Sequence, residues 1–233
     1  MTGILYGVGV GPGDPDLMTL RAHNLIRTAR VVAYPALAGA PSFARSIAAD
    51  FIAPDAQEIA IDVPMTTERA PAQAAYDKGA EDIRAALDAG EDVVCLCEGD
   101  PFFYGSFMYL FARLRDSVQV EVVPGVSSVT TCAARAGLPL AARNERLTIL
   151  PGPLPEDELR SRIEGAESVA IMKVGRHLPK IRGVIAQLDL TDQAIYVERA
   201  SLPGERICPL GEAPDLAPYF SMVLLIKGGD PWL

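Results

Sequence analysis

The chain has 233 residues, 49% hydrophobic and 22% charged, the balance of a globular protein with one large domain or two small ones and not of a disordered chain. Lys and Arg number 21 against 30 Asp and Glu, a net charge of −9 that argues against duplex nucleic-acid binding through phosphate neutralisation but leaves room for a local basic pocket. The best membrane candidate, residues 220–226, is far short of the ~18–20 apolar residues that cross a bilayer, and the opening Met-Thr-Gly-Ile-Leu has no basic signal-peptide start.

The elements expected along the chain alternate. An apolar, β-branched run at 4–10 reads as a strand, broken by Gly11-Pro12-Gly13-Asp14-Pro15. Apolar residues at helical spacing follow over 17–29, then a short strand at 31–34 ended by Pro35. A helix at 43–51, a strand at 58–61 and a long amphipathic helix at 72–89 stopped by Gly90 come next. Strands at 92–97 and 118–123 bracket a helix at 105–114, and a helix at 127–136 closes at Gly137. This β–α alternation predicts a largely parallel α/β sheet. The pattern breaks over 137–142, so a domain boundary is placed there, giving domains 1–142 and 143–233. Beyond it, strands at 147–150, 169–174, 194–197 and 221–227 outnumber helices at 156–163 and 180–188, which predicts a mixed or antiparallel second sheet. The 156–163 helix opens with acidic residues, as a helix N-terminus prefers. Cys95, Cys97, Cys132 and Cys208 fit no zinc spacing with His23 and His177, so no metal site is expected and they read as buried, reduced thiols of a cytoplasmic protein. Cys95 and Cys97, two apart in a strand, point to one face.

Three Gly- and Pro-rich turns each follow a strand: residues 9–15, then Glu98-Gly99-Asp100-Pro101-Phe102-Phe103-Tyr104-Gly105, then Pro124-Gly125-Val126-Ser127-Ser128. In an open α/β sheet, ligands sit outside the carboxyl ends of the strands. One such turn alone reads as a structural turn; three in order point to a shared pocket. The first is not a dinucleotide loop. Counted from Gly7, the third glycine of G-x-G-x-x-G is replaced by Pro12, and counted from Gly9 it is replaced by Asp14. No Asp or Glu occurs between Leu17 and Ala49 to bind a ribose, and no Gly-Lys-Ser/Thr marks a P-loop. A nicotinamide oxidoreductase is therefore disfavoured. The pocket calls for a ligand met by backbone groups, small polar side chains and apolar walls, such as a nucleoside with a small zwitterionic tail.

The stretch Gly7-Val8-Gly9-Val10-Gly11-Pro12-Gly13-Asp14-Pro15-Asp16-Leu17-Met18-Thr19-Leu20 resembles the opening of the S-adenosylmethionine-dependent tetrapyrrole methylases. Gly99-Asp100-Pro101 resembles their second loop and Val123-Pro124-Gly125-Val126-Ser127-Ser128 their third. Within the family, the residues from Cys97 to Tyr109, Tyr34-Pro35 and Met172-Lys173-Val174-Gly175-Arg176 are similar to the branch acting at carbon 20 of precorrin-2. Glu98 departs from the wider family, which has a small residue there. The resemblance implies two α/β domains with the cofactor in the cleft between them, a homodimer, and a methylation step in cobalamin biosynthesis. The substrate would be metal-free or cobalt-loaded precorrin-2, or methylation would fall at another position of a precorrin or uroporphyrinogen. Carried over, Pro12 and the backbone of Glu98, Gly99 and Asp100 would touch S-adenosylmethionine, Phe103 would pack on it, Ser127 and Ser128 would bind its tail or base, and Met172 and Ala200 would line its adenosine side.

Methyl transfer from a sulfonium is an in-line displacement in which the main lever is alignment at ~3–3.5 Å, worth roughly 7–11 kcal/mol. The sulfonium loses its charge, so a dry wall of Phe102, Phe103, Met108 and Met172 would not oppose the step. A proton must then leave the methylated carbon. Asp14, Asp100 and Tyr104 lie in the right loops to take it, though the two aspartates read first as turn-formers. The polycarboxylate substrate calls for a local positive field; Lys173 and Arg176 are its candidates, followed by His177, Lys180 and Arg182, with Arg143 and Arg146 near the domain junction.

Overall fold

The computed structural model describes residues 2–64 and 68–228. The chain forms two compact units, Met1–Ser127 and Ser128–Leu233. In the first, strands β1 (Ile4–Gly9), β2 (Val31–Leu37), β3 (Gln57–Val63), β4 (Val93–Cys97) and β5 (Gln119–Val123) form a sheet of order β3-β2-β4-β1-β5. Every pairing is parallel. Helices α1 (Leu20–Thr28) and α2 (Phe43–Ile47) cover one face, and α3 (Arg69–Asp88) and α4 (Phe107–Leu114) the other.

A central parallel strand is buried on both sides and so reads as an unbroken apolar run. Val93-Val94-Cys95-Leu96-Cys97 is such a strand: Val93, Cys95 and Cys97 join the α3–α4 core, while Val94 and Leu96 join the α1–α2 core. The two cysteines therefore share a face. Burial holds the Cys95 thiol well above its ordinary range and pushes Cys97 upward as well.

Two element ends differ from the sequence expectation for local reasons. Helix α1 begins at Leu20 because Thr19 caps it, its hydroxyl accepting from Ala22 N at 3.2 Å. The preceding Pro15–Leu17 makes a separate 3-10 turn capped by Asp14. Strand β2 runs through Pro35 to Leu37. It pairs with β4 only over 31–33, so a residue without N–H is tolerated just beyond, and the Pro35 carbonyl accepts from Ser42 Oγ at 2.6 Å.

The second unit contains β6 (Leu147–Pro151), β7 (Ser168–Met172), β8 (Ala194–Glu198), β9 (Arg206–Pro209) and β10 (Ser221–Ile226) in the order β6-β7-β10-β8-β9. β6 and β7 are parallel, β10 runs against both β7 and β8, and β9 runs against β8, so the sheet is mixed. Helices α6 (Glu156–Glu164) and α7 (Leu178–Gln187) pack on one face through Leu159, Ile163, Leu178, Ile181 and Ile185. Helix α5 (Ser128–Ala136) packs against β8 and β10 and so groups with this unit. The sequence break at 137–142 is therefore a connection inside the second unit, not its start. β9 was not expected: it is a short edge strand, largely exposed and ending in Pro209, without the apolar run of a core strand. No helix among the described residues is long and apolar enough to cross a membrane.

Candidate functional site

In the first sheet β4 and β1 are neighbours, yet the chain leaves them for opposite faces, from β1 to α1 and from β4 to α4. This is the topological switch point, where an open α/β sheet leaves a crevice at its carboxyl edge. The turns after β4, β1 and β5, three adjacent strands, all arise there.

These turns are fastened to one another. Val10 N donates to Cys97 O at 2.9 Å, Gly99 N to Gly11 O at 2.8 Å, and Gly11 N to Gly99 O at 3.3 Å. The Asp100 carboxylate serves two turns at once. Its Oδ1 accepts from Phe102 N (2.9 Å) and Phe103 N (3.1 Å), and its Oδ2 accepts from Gly125 N at 3.0 Å. Asp100 is thus the turn-former the sequence suggested, and also a tie to the turn after β5. The backbones meet so closely that a Cβ on Gly125 would lie 2.0 Å from Gly99 O, and one on Gly9 2.7 Å from Gly125 N. Gly99 itself has φ +60 with no atom closer than 3.8 Å to where its Cβ would stand, so its backbone is both left-handed and approachable.

Pro12 is half-buried between Gly11 and Gly13, and Phe103 is half-buried with its ring edge-on to Tyr104 at 5.3 Å. Tyr104, exposed, holds φ 56, uncommon for a bulky residue and typical of functional loops. Phe102 is also exposed and packs on Phe111 at 4.9 Å, so one side of its ring belongs to the α4 surface. The Glu98 side chain opens to solvent, but the protein mass around it still desolvates the carboxyl and pushes it above its ordinary value. Ser127, half-buried, ends the first unit, and Ser128 begins α5.

In the second unit β6, β7 and β8 run the same way, so Met172 at the end of β7 and Ala200 just beyond β8 lie at one edge of that sheet. Met172 is half-buried and Ala200 buried. Lys173 follows with φ 57, and Arg176 is exposed beside His177, with Nε 3.5 Å from its Nε2. Burial and the charges of Lys180 and Arg176 lower the His177 pKa. Two of the expected cations do other work: Lys180 Nζ donates to Leu154 O, and Arg182 donates to Ala213 O (2.6 Å) and Pro214 O (3.1 Å). Arg146 pairs with Glu167 at 3.1 Å.

Sequence reasoning missed the brace around Ala200. Arg199 and Ser201 on either side hold φ 50 and 65. Glu205 accepts from Ser201 N at 2.8 Å and from the Arg135 guanidinium of α5 at 2.6 to 3.0 Å, which holds its carboxyl below the ordinary range. No local pattern announces a pair 70 residues apart. Among the described residues, no group of three or more His, Cys, Asp or Glu could hold a metal ion.

The model of the family described as Tetrapyrrole (Corrin/Porphyrin) Methylases matches residues 4–214. A precorrin-2 C(20)-methyltransferase of Sinorhizobium sp is 43% identical over 232 residues, covering 96% of this chain and 95% of the relative. A cobalt-precorrin-2 C(20)-methyltransferase of Salmonella typhimurium strain LT2 is 32% identical, covering 97% of this chain and 98% of its own. Among solved structures, uroporphyrin-III C-methyl transferase from Thermus thermophilus complexed with S-adenyl homocysteine aligns with a TM-score of 0.69 at 28% identity, over 97% of this chain and 98% of that one.

Proposed function

The chain belongs to the tetrapyrrole (corrin/porphyrin) methylases, and from that premise we propose that it transfers a methyl group from S-adenosylmethionine to carbon 20 of precorrin-2. The observation that carries the reading is the 43% identity, over nearly the whole of both chains, to a relative named for that reaction. A second reading, the same transfer on the cobalt-loaded macrocycle, is favoured by the 32% relative.

The residues of the switch point suit the donor. Its zwitterionic tail and nucleoside want close approach to the backbone, and Gly99, left-handed and with room where a side chain would stand, permits it while its own N–H is spent on Gly11 O. We assign Pro12, the Glu98-Gly99-Asp100 backbone, Phe103, Ser127 and Ser128 to the donor from the first unit's turns and the start of α5, and Met172 and Ala200 from the second unit. Bound there, the donor supplies an electrophilic methyl on a sulfonium. The protein's part is to hold that methyl in line with the meso carbon and to exclude water, the alignment being worth roughly 7–11 kcal/mol. Asp100 serves this by locking the turns before the donor arrives, so little ordering remains to be done on binding. Lys173 and Arg176 are assigned to substrate carboxylates. The four cysteines, all free, fit a cytoplasmic enzyme, which we expect to be a homodimer.

Incubation with precorrin-2 and carbon-labelled donor, read by NMR, tests the reading: label at carbon 20 supports it, and label at another carbon or none overturns it. Parallel incubation with cobalt-precorrin-2 separates the two substrates. Replacing Arg176 by Ala is expected to raise the tetrapyrrole KM severalfold while leaving the affinity for S-adenosylhomocysteine unchanged; equal effects on both would remove Arg176 from the substrate side.

A further inference from the structure

Every methylation of a ring carbon that carries hydrogen leaves one proton to be removed, and the turns of the first unit offer few groups to take it. Asp100 has both oxygens occupied by backbone N–H groups of two turns, so its carboxylate is already committed to the turns. Asp14 accepts from Asp16 N at 2.9 Å as the cap of its 3-10 turn. His23 sits on α1 with its ring edge-on to Phe51 at 4.8 Å. Tyr104 brings a phenol hydroxyl, which ordinarily enters such chemistry as a hydrogen-bond donor.

Glu98 differs from all of these. It follows the last residue of β4, at the switch point and next to Gly99. Its carboxylate has no hydrogen-bond or ion-pair partner among the described residues and stands open to solvent at the carboxyl edge of the sheet, with enough protein near it to raise its pKa. An unpartnered carboxylate at such a place contributes nothing to stability and is left open to a ligand. We infer that Glu98 is the base that takes the proton from carbon 20 after methyl transfer, an assignment that rests on the methyl-transfer reading above.

The step balances without a further reagent. A π pair of the electron-rich macrocycle forms the new carbon–carbon bond, and the sulfur–methyl pair returns to sulfur, which leaves as a neutral thioether. The methylated carbon is then tetrahedral and the macrocycle carries the positive charge. Glu98 accepts the proton, and the carbon–hydrogen pair restores the double bond and neutralises the ring. The desolvation that raises the Glu98 carboxyl makes it a stronger acceptor than an ordinary surface glutamate.

The rival role for the same carboxylate is to neutralise the sulfonium, and the two roles part in experiment. The full chain carrying Glu98→Gln is compared with the wild type for S-adenosylmethionine and S-adenosylhomocysteine affinity by calorimetry, and for turnover on precorrin-2 with hydrogen or deuterium at carbon 20. As a base, its loss lowers turnover ~10²–10⁴-fold, leaves both affinities within about threefold, and exposes a deuterium isotope effect larger than that of the wild type. Formate should restore part of the turnover of Glu98→Gly. Unchanged turnover, a selective loss of S-adenosylmethionine affinity, or a slow variant with neither isotope effect nor rescue overturns the assignment. Retained S-adenosylhomocysteine binding shows that the variant has folded. Wild-type methylation at carbon 20 with an unaffected variant sinks this inference alone, whereas wild-type methylation elsewhere sinks the functional reading and this with it.

Discussion

Asp100 shows how much one side chain holds at the switch point. Three backbone N–H groups in two turns depend on its carboxylate. Removing it in Asp100→Ala strands Phe102 N and Gly125 N and leaves Phe103 N only its 3.4 Å bond to the Asp100 carbonyl, and we expect a loss of ~2–3 kcal/mol in urea unfolding together with at least a tenfold weaker affinity for S-adenosylhomocysteine. Asp100→Asn keeps one acceptor oxygen and should fall between; an alanine variant with wild-type affinity would refute the role. Glu58 of β3 illustrates a purely structural carboxylate. Arg45 grips it at 2.8 and 2.9 Å and Tyr34 donates to it at 2.7 Å, hydrogen bonds that lower its pKa from the ordinary 4.5 to about 2. Because the folded value is the lower one, its contribution is complete above pH 4.5 and is lost as pH falls toward 2. Allowing for partial exposure, Glu58→Gln should cost ~1–2 kcal/mol at pH 7. The gap to wild type should close between pH 4.5 and 2 in urea midpoints; a constant gap would contradict the linkage.

At the scale of elements, the apolar runs of β1 and β4 and the turns that follow them were legible in the sequence because each is a local pattern of strand followed by Gly and Pro. The mixed character of the second sheet was legible from strands crowding out helices. The remainder depends on contacts far apart in the chain. β9 is held as an edge by β8 alone, Pro35 survives in β2 because the pairing of β2 with β4 stops at Ala33, and α5 declares its unit only by packing on β8 and β10. Lys180 and Arg182 spend their charge on backbone carbonyls 26 and 31 residues away, partners that no local pattern reveals. The candidate site divides in the same way: the identity of the loop residues could be read, but not Asp100 reaching Gly125 or Glu205 bracing Ser201. That brace carries its own prediction. Glu205→Ala should destabilise the chain by ~1–2 kcal/mol and open the turn after β8 to proteolysis, while Arg135→Lys, which keeps the charge but loses the bidentate grip, should do less.

The whole molecule carries a net charge of −9, so under the proposed reading, in which the substrate is a polycarboxylate, the local placement of Lys173 and Arg176 would matter more than the overall field. A ligand that binds only the folded chain stabilises it by mass action. S-adenosylhomocysteine at ~100 times its dissociation constant should add about 2.7 kcal/mol, and NAD at the same concentration should add nothing; stabilisation by NAD alone would reverse the choice between methylase and oxidoreductase. Light scattering at micromolar concentration should give twice the chain mass if the expected homodimer forms.

The absence of room for even one methyl group on Gly9 or Gly125, both pressed against the Gly99 carbonyl, has a practical corollary for redesign. A chimera that borrows a single turn from a relative of different regiospecificity would seat foreign atoms against two native backbones that cannot yield. Grafts at this edge should succeed only when all of its segments are transplanted together.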